Sequence, residues 1–138
     1  MNATAGKLRR IDHVELRVRD LAQSAAFYER LLGLSRCARS DSEDGVSVYL
    51  SEAPDAQFSI VLVEGVPAGM ELSGLDHVCL EVATLQDVDE IHAAAKMAGT
   101  QTTVPTVHRD RYRTYVFDPN GYKIEIAARP RNGRASAP

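Results

Sequence analysis

The chain repeats its own pattern after 64 residues, and this repeat constrains the fold more than any other feature of the sequence. The segment RIDHVELRVRDL at residues 10–21 returns in altered form as GLDHVCLEVATL at residues 74–85. His13 and His77 take the same place in the two copies, and 77 − 13 gives the offset of 64. Since 138 residues fit one domain, a repeat of about half that length predicts a single domain with internal pseudo-symmetry.

The first copy begins with a strand and a helix. Apolar residues alternate with polar ones from Val14 to Val18, which is the period of a half-buried strand. Asp20 is a typical helix N-cap, and we expect the helix to end at Gly33. Three extended segments are predicted after the helix, at residues 34–40, 45–51 and 57–64.

The second copy follows the same order. A strand is predicted over residues 75–82, and a helix follows with Thr84 as its cap and Asp87 as the partner of the cap. The helix is expected to end at Gly99. Three extended segments are again predicted, and the turn DPNG joins the last two, at residues 100–107, 112–118 and 122–128.

Each copy therefore predicts a βαβββ module, and the fold class is α+β. We expect module 1 at about residues 10–64, a linker at 65–74, module 2 at about 75–128, and a disordered tail at 129–138. Each mixed sheet packs its helix on one face, and the two curved free faces are expected to enclose one cavity.

Strand parity predicts which side chains enter that cavity. His13 and His77 alternate with the apolar residues of their strands, and Glu125 alternates with Ile124 and Ile126 on the last strand. Subtracting 64 from 125 gives Val61, so only one of these two equivalent positions carries a carboxylate. Two imidazoles and one carboxylate are suitable ligands for a divalent transition metal such as Fe, Zn, Mn, Ni or Co.

Composition excludes several classes of protein. The net charge is −3, without a long basic run, which argues against a nucleic-acid partner. No stretch has the length and apolar character of a signal peptide or a membrane span. Two cysteines, Cys37 and Cys79, occur outside any CxxC pattern, so we expect a reduced, cytoplasmic protein.

The segments IDHVELRVRDLAQSAAFYERLLGL, LDHVCLEV and FDPNGYKIEI resemble the vicinal oxygen chelate superfamily. This superfamily includes glyoxalase I, extradiol dioxygenases, fosfomycin-resistance transferases, methylmalonyl-CoA epimerase and bleomycin-resistance proteins. The resemblance implies metal ligands at His13, His77 and Glu125, and a homodimer in which modules can pair across chains. It also implies a small-molecule substrate.

The resemblance favours extradiol cleavage of a small aromatic or vicinal diol-like substrate, with Fe(II) as the metal. Glyoxalase I and the epimerases use a fourth ligand on the strand that here carries Val61. Extradiol enzymes have a histidine and a tyrosine upstream of the ligand glutamate, which match His108 and Tyr115 as catalytic residues. Arg113 and Phe117 share the strand face of Tyr115 and are predicted to bind substrate.

Two other functions stay open from the sequence. One is a glyoxalase-type lyase or isomerase. The other is a small-molecule binding or resistance protein without turnover. The extradiol pattern also places a histidine near the start of the fourth strand, where this chain has Gln57 or Phe58.

Overall fold

The computed structural model describes residues 5–7, 10–42, 45–54, 59–69 and 74–130. Gln57, Phe58 and most of the predicted tail lie outside these residues. The chain divides into two compact units, the first of Met1–Glu29 with Gly33–Val66 and the second of Arg30–Leu32 with Pro67–Pro138. Among the described residues, no helix is both long and apolar enough to cross a bilayer.

The first unit contains one mixed sheet in the order β1-β4-β3-β2. Strand β1 runs parallel to β4, and the other neighbours are antiparallel. Successive side chains of β1 point to opposite faces of the sheet, so Leu16 and Val18 are buried while Glu15 and Arg17 are exposed. The elements are β1 Val14–Val18, α1 Leu21–Ala26, a π-helical segment Phe27–Leu31, β2 Ser35–Ser42, β3 Gly45–Ser51 and β4 Ile60–Glu64.

The helix after β1 begins as predicted but changes its hydrogen-bond pattern. The Asp20 carboxylate accepts a hydrogen bond from the backbone N–H of Gln23 at 2.9 Å, which confirms the N-cap. From Phe27 the helix widens into a π-helical segment rather than continuing as an α-helix. Tyr28 in this segment is nevertheless fully buried. Gly33 has a φ of 71°, so it ends the helix in the left-handed conformation that glycine favours.

The second unit repeats this arrangement. Its sheet has the order β5-β8-β7-β6, with β5 parallel to β8. The helix α2 begins with a capping box, since Thr84 Oγ1 accepts from the Asp87 N–H at 3.1 Å and the Asp87 carboxylate accepts from the Thr84 N–H at 2.9 Å. The elements are β5 Val78–Glu81, α2 Leu85–Met97, β6 Thr106–His108, β7 Arg111–Phe117 and β8 Lys123–Ala128. The predicted βαβββ order and the α+β class are therefore confirmed.

Strand β6 is shorter than the predicted extended segment. It covers Thr106–His108, and Thr102 makes only an isolated bridge to Val116. Pro105 between them has no N–H to donate to a ladder, which explains the interruption. Instead, Thr102 Oγ1 donates to the Tyr115 carbonyl at 2.8 Å.

The register of the parallel strands reproduces the offset of the repeat. In the first unit, Glu15 of β1 is paired with Val61 of β4. In the second, Cys79 of β5 is paired with Glu125 of β8. Adding 64 to 15 and to 61 gives 79 and 125, so the two sheets place equivalent residues at equivalent positions. The pseudo-symmetry predicted from the sequence thus extends to the pairing of individual residues.

Candidate metal centre

Glu125 is the centre of a row of side chains across the second sheet. It is paired with Cys79 on one neighbouring strand and with Tyr115 on the other. Residues that are directly opposite each other project to the same face of a sheet. Tyr115 therefore shares the face of Glu125, which the sequence alone left open.

The Glu125 carboxylate is buried and surrounded by cationic or potentially cationic groups. Only 1% of the residue is exposed. Its Oε2 lies 2.9 Å from the His77 Nε2, and its Oε1 accepts a hydrogen bond from the Arg113 Nη1 at 3.4 Å. The Arg111 Nη1 lies 3.9 Å from the same Oε1. A carboxylate is costly to bury unless such partners compensate it, so these contacts account for its presence in the sheet.

His77 is held from both sides of its ring. It directly precedes β5, and its Nδ1 lies 2.5 Å from the Oδ2 of the adjacent Asp76. Its Nε2 faces Glu125, as described above. The hydrogen bond to His77 lowers the pKa of the Asp76 carboxyl below its usual value, and the positive charge of Lys123 lowers it further. Asp76 therefore remains a carboxylate at neutral pH and is available to hold the ring.

Tyr115 is packed against the imidazole and two cations. Its ring meets the His77 ring edge to face, with centroids 5.8 Å apart. The Lys123 Nζ lies 4.2 Å from the ring centroid and the Arg113 Cζ lies 5.1 Å from it, both within cation–π distance. Burial raises the pKa of the Tyr115 phenol, and the charge of Glu125 raises it further. The hydroxyl thus keeps its proton at neutral pH and is able to donate a hydrogen bond.

Lys123 was not predicted as a site residue, although the sequence contained a signal for it. It stands two positions before Glu125 on the same strand, and residues two apart on a strand share a face. Its register partner is Phe117, which places that predicted substrate-binding residue on the face of Tyr115 as well. Phe117 is half-buried at the end of β7.

A pocket of about 190 Å³ opens at Cys79, the register partner of Glu125. The free thiol of Cys79 is only partly shielded from water, and this partial burial raises its pKa, which the charge of Glu125 raises further. The pocket is lined by Cys79, Glu81, Arg111, Ala127, Ala128 and Arg129. Its Arg129 contacts the exposed Glu81 carboxylate at 3.4 Å.

Two predicted site residues remain, His108 on β6 and His13 in the first unit. His108 is exposed at the end of β6, and its register partner is Arg111 rather than Tyr115. His13 belongs to the first unit, where it directly precedes β1, and its Nδ1 lies 2.7 Å from the Asp12 Oδ2. No group of three or more His, Cys, Asp or Glu able to hold a metal ion occurs among the described residues. The second unit thus supplies two of the three predicted ligands, His77 and Glu125.

The His77–Glu125 pair fits a divalent transition metal. Imidazole nitrogen and carboxylate oxygen bind such ions at about 2.0–2.2 Å, so two ligands at right angles stand about 3 Å apart. The separation of 2.9 Å between Nε2 and Oε2, which suits a hydrogen bond, is also compatible with this value. The Asp76 contact at Nδ1 also matches the common arrangement in which a metal-binding histidine is held by a second carboxylate.

Comparison with known proteins identifies the family. Residues 10–126 match the model of the Glyoxalase/Bleomycin resistance protein/Dioxygenase superfamily. The chain belongs to this superfamily. The matched region extends from β1 into β8, the last strand, and it confirms the resemblance to vicinal oxygen chelate proteins found in the sequence.

Solved structures of this superfamily show the same fold. A glyoxylase/bleomycin resistance protein/dioxygenase domain from Frankia sp. EAN1pec is 24% identical over 89% of this chain and 99% of that one, with a TM-score of 0.79. Glyoxalase I of Leishmania major is 25% identical over 88% and 87%, with a TM-score of 0.68. A variant of the fosfomycin resistance protein FosX from Listeria monocytogenes, complexed with Mn(II) and 1S,2S-dihydroxypropylphosphonic acid, is 18% identical over 94% and 97%, with a TM-score of 0.70. No curated protein matches the chain.

Proposed function

We propose that this protein is a metal-dependent enzyme that opens or oxidises a small aromatic or vicinal diol-like substrate, in the manner of an extradiol dioxygenase. The observation that carries the proposal is the buried Glu125 carboxylate 2.9 Å from the His77 Nε2, with the Tyr115 ring against the same imidazole. One carboxylate and one imidazole at this distance suit the coordination of a divalent metal, and a phenol beside them suits an oxygen-bearing substrate.

The proposed metal ligands are His77 and Glu125 in the second unit and His13 from the first. The Mn(II) in the FosX complex supports a divalent ion in a protein of this fold. When bound, such an ion would supply Lewis acidity and, as Fe(II), the capacity to react with O2. Fe(II) is the metal favoured by the proposed reaction, and Zn, Ni, Mn and Co suit the same ligands.

The other proposed roles follow from the chain's own contacts. Tyr115 would donate its hydroxyl proton in a hydrogen bond to a substrate oxygen, and burial keeps that phenol protonated. Arg113 would bind a negatively charged oxygen of the substrate, since its guanidinium already reaches the face of Tyr115. Phe117 would provide an apolar wall on the same face, and His108 would help to position the substrate from β6.

Val61 supports the oxygenase over the lyase. It occupies the position of β4 equivalent to Glu125 in β8, is buried, and has no group that can bind metal or move a proton. A glyoxalase-type isomerisation needs carboxylates that transfer protons, and this chain has one fewer at the equivalent positions. The alternative lyase is supported by the 25% identity to glyoxalase I of Leishmania major.

The test is metal analysis of protein purified without oxygen, followed by oxygen uptake with a panel of catechols. Bound iron and catechol-dependent uptake are expected. Bound zinc or nickel, together with turnover of methylglyoxal and a thiol, would overturn the oxygenase proposal and support the lyase. A metal-free protein that still binds small molecules would overturn both enzyme proposals. His77→Ala is expected to lose the metal while keeping the fold, with the exposed His108→Ala as the matched control.

Three further proposals concern the setting of the enzyme. We expect a homodimer whose modules can pair across chains, a small-molecule substrate, and a cytoplasmic location. Mass measurement in solution, and metal content of a mixture of His13→Ala and His77→Ala chains, would test the pairing. If ligands come from two chains, the mixture is expected to recover part of the metal content that each variant lacks alone.

A further inference from the structure

The same aspartate–histidine contact occurs in both units. In the first, the His13 Nδ1 lies 2.7 Å from the Asp12 Oδ2, and in the second the His77 Nδ1 lies 2.5 Å from the Asp76 Oδ2. In each case the pair stands directly before the first strand of its sheet. We propose that Asp76 and Asp12 are positioning residues that orient the two imidazoles and fix their tautomer for metal binding. This inference rests on the proposed function.

The geometry at His77 shows which ring nitrogen faces each carboxylate. A ring held at Nδ1 presents its opposite nitrogen, and the His77 Nε2 is the atom that lies 2.9 Å from the buried Glu125 carboxylate. A carboxylate that accepts from the Nδ1–H keeps the proton of the neutral ring on Nδ1 and leaves the Nε2 lone pair for a metal. Asp76 thus determines which nitrogen meets Glu125.

The contact is local to the dipeptide and independent of the sheet. Both aspartates precede the strands, so their side chains are not required by the ladder, and 80% of the Asp76 side chain is exposed. The positions around the pair differ between the units. Arg10 is replaced by Gly74, and Glu15 by Cys79. A surface ion pair contributes little to stability, so repetition of the same two atoms in different surroundings points to orientation of the ring rather than to folding.

Metal affinity tests the inference. Zn(II) affinity would be measured by competition with a chromophoric chelator for the wild type, Asp76→Ala and Asp76→Asn. Asp76→Ala is expected to weaken Zn(II) binding by about 10–100-fold. Asp76→Asn is expected to recover part of that loss, because its amide oxygen still accepts from the Nδ1–H. Asp89→Ala, which removes an exposed aspartate of α2, is the control and should leave affinity unchanged.

The orientation of the His77 ring in metal-free protein gives a second readout, measured by NMR from contacts between the ring protons of His77 and Tyr115, which meet edge to face. The wild type should show one fixed ring orientation, and Asp76→Ala should release it. An unchanged orientation, or equal affinity losses in Asp76→Ala and Asp89→Ala, would overturn the inference. If the His77→Ala variant instead retains its metal, the proposed function fails, while the orientation measurement still decides the role of Asp76.

Discussion

Replacement of Glu125 by glutamine separates two roles of this side chain, its contacts with neighbouring cations and its proposed binding of a metal. Glutamine keeps the size of glutamate and one acceptor oxygen, but it removes the negative charge and puts an NH2 donor where the second oxygen was. The change leaves the sheet register untouched, since Glu125 pairs with Cys79 and Tyr115 through the backbone. Any effect therefore comes from the lost charge and the changed hydrogen bonds.

In metal-free protein, Glu125→Gln is expected to lower the free energy of unfolding by about 1–2 kcal/mol. A hydrogen bond to a charged group contributes about 1.5–3 kcal/mol. Of the three contacts, His77 at 2.9 Å is at hydrogen-bond distance, Arg113 at 3.4 Å is long, and Arg111 at 3.9 Å is only an ion pair. These partners are partly exposed, which weakens their contribution, and the desolvation of an amide costs less than that of a carboxylate.

Added Zn(II) should increase the difference in the free energy of unfolding between the wild type and Glu125→Gln. At a concentration 100 times the Kd, a ligand stabilises the folded protein by about 2.7 kcal/mol. The wild type gains this stabilisation, and Glu125→Gln is expected to lose most of it because one proposed ligand is gone. The total difference between the two proteins should then reach about 4 kcal/mol.

Urea denaturation, with EDTA and then with Zn(II), measures both quantities. Glu81→Gln is the matched control, because Glu81 lies on the same sheet with an exposed carboxylate paired to Arg129 at 3.4 Å. Its effect should stay within about 0.5 kcal/mol in both conditions. Equal stability of Glu125→Gln and wild type in EDTA would refute the contribution of the buried ion contacts. A difference that does not grow with Zn(II) would refute Glu125 as a ligand.

Two further predictions concern parts of the second unit other than the proposed metal ligands. Thr84→Ala removes the capping box of α2 and should lower the free energy of unfolding by about 1 kcal/mol in urea denaturation. Thr100→Ala, which replaces a threonine after the end of α2, is the control, and an equal loss in that variant would contradict the role of the cap. The Tyr112 hydroxyl donates to the Asp89 carboxylate at 2.6 Å, and this bond raises the pKa of Tyr112. The bond should stabilise the fold at pH values below the pKa of Tyr112 in the unfolded chain, and this stabilisation should be lost as the pH rises through the higher pKa of Tyr112 in the folded protein. Because Asp89→Asn weakens the bond, it should lower the Tyr112 pKa in an ultraviolet titration. No change in that titration would contradict the assignment.

The fold was predictable because local and periodic signals agreed. Asp20 and Thr84 marked the helix starts, and the alternation after His13 and His77 marked the first strands. The π-helical segment from Phe27 was not predictable, because the apolar spacing that buries Tyr28 suits either helix type. Burial and spacing report which side of a helix is apolar, and they do not report which carbonyl each N–H reaches.

The proximity of His77 and Glu125 was predictable, and the surroundings of the two side chains were only partly so. Strand parity placed His77 and Glu125 on the same side of their strands, and the structure brings these two side chains to 2.9 Å. The cations around them depend on the register of β7 against β8, which a single sequence does not specify. A shift of one residue would have turned Tyr115 and Arg113 to the opposite face. The positions of these two residues therefore became known only from the pairing of Tyr115 with Glu125.

The difference between Val61 and Glu125 bears on why the carboxylate is present. The two residues occupy the same register position in the two sheets, and both are buried. Valine at this position needs no compensating charge, whereas a buried carboxylate must recover a desolvation cost of several kcal/mol from its partners. Since the βαβββ unit folds with valine here, the fold has no requirement for glutamate at the equivalent place. The proposed metal site gives the Glu125 carboxylate a role that its position in the fold does not require.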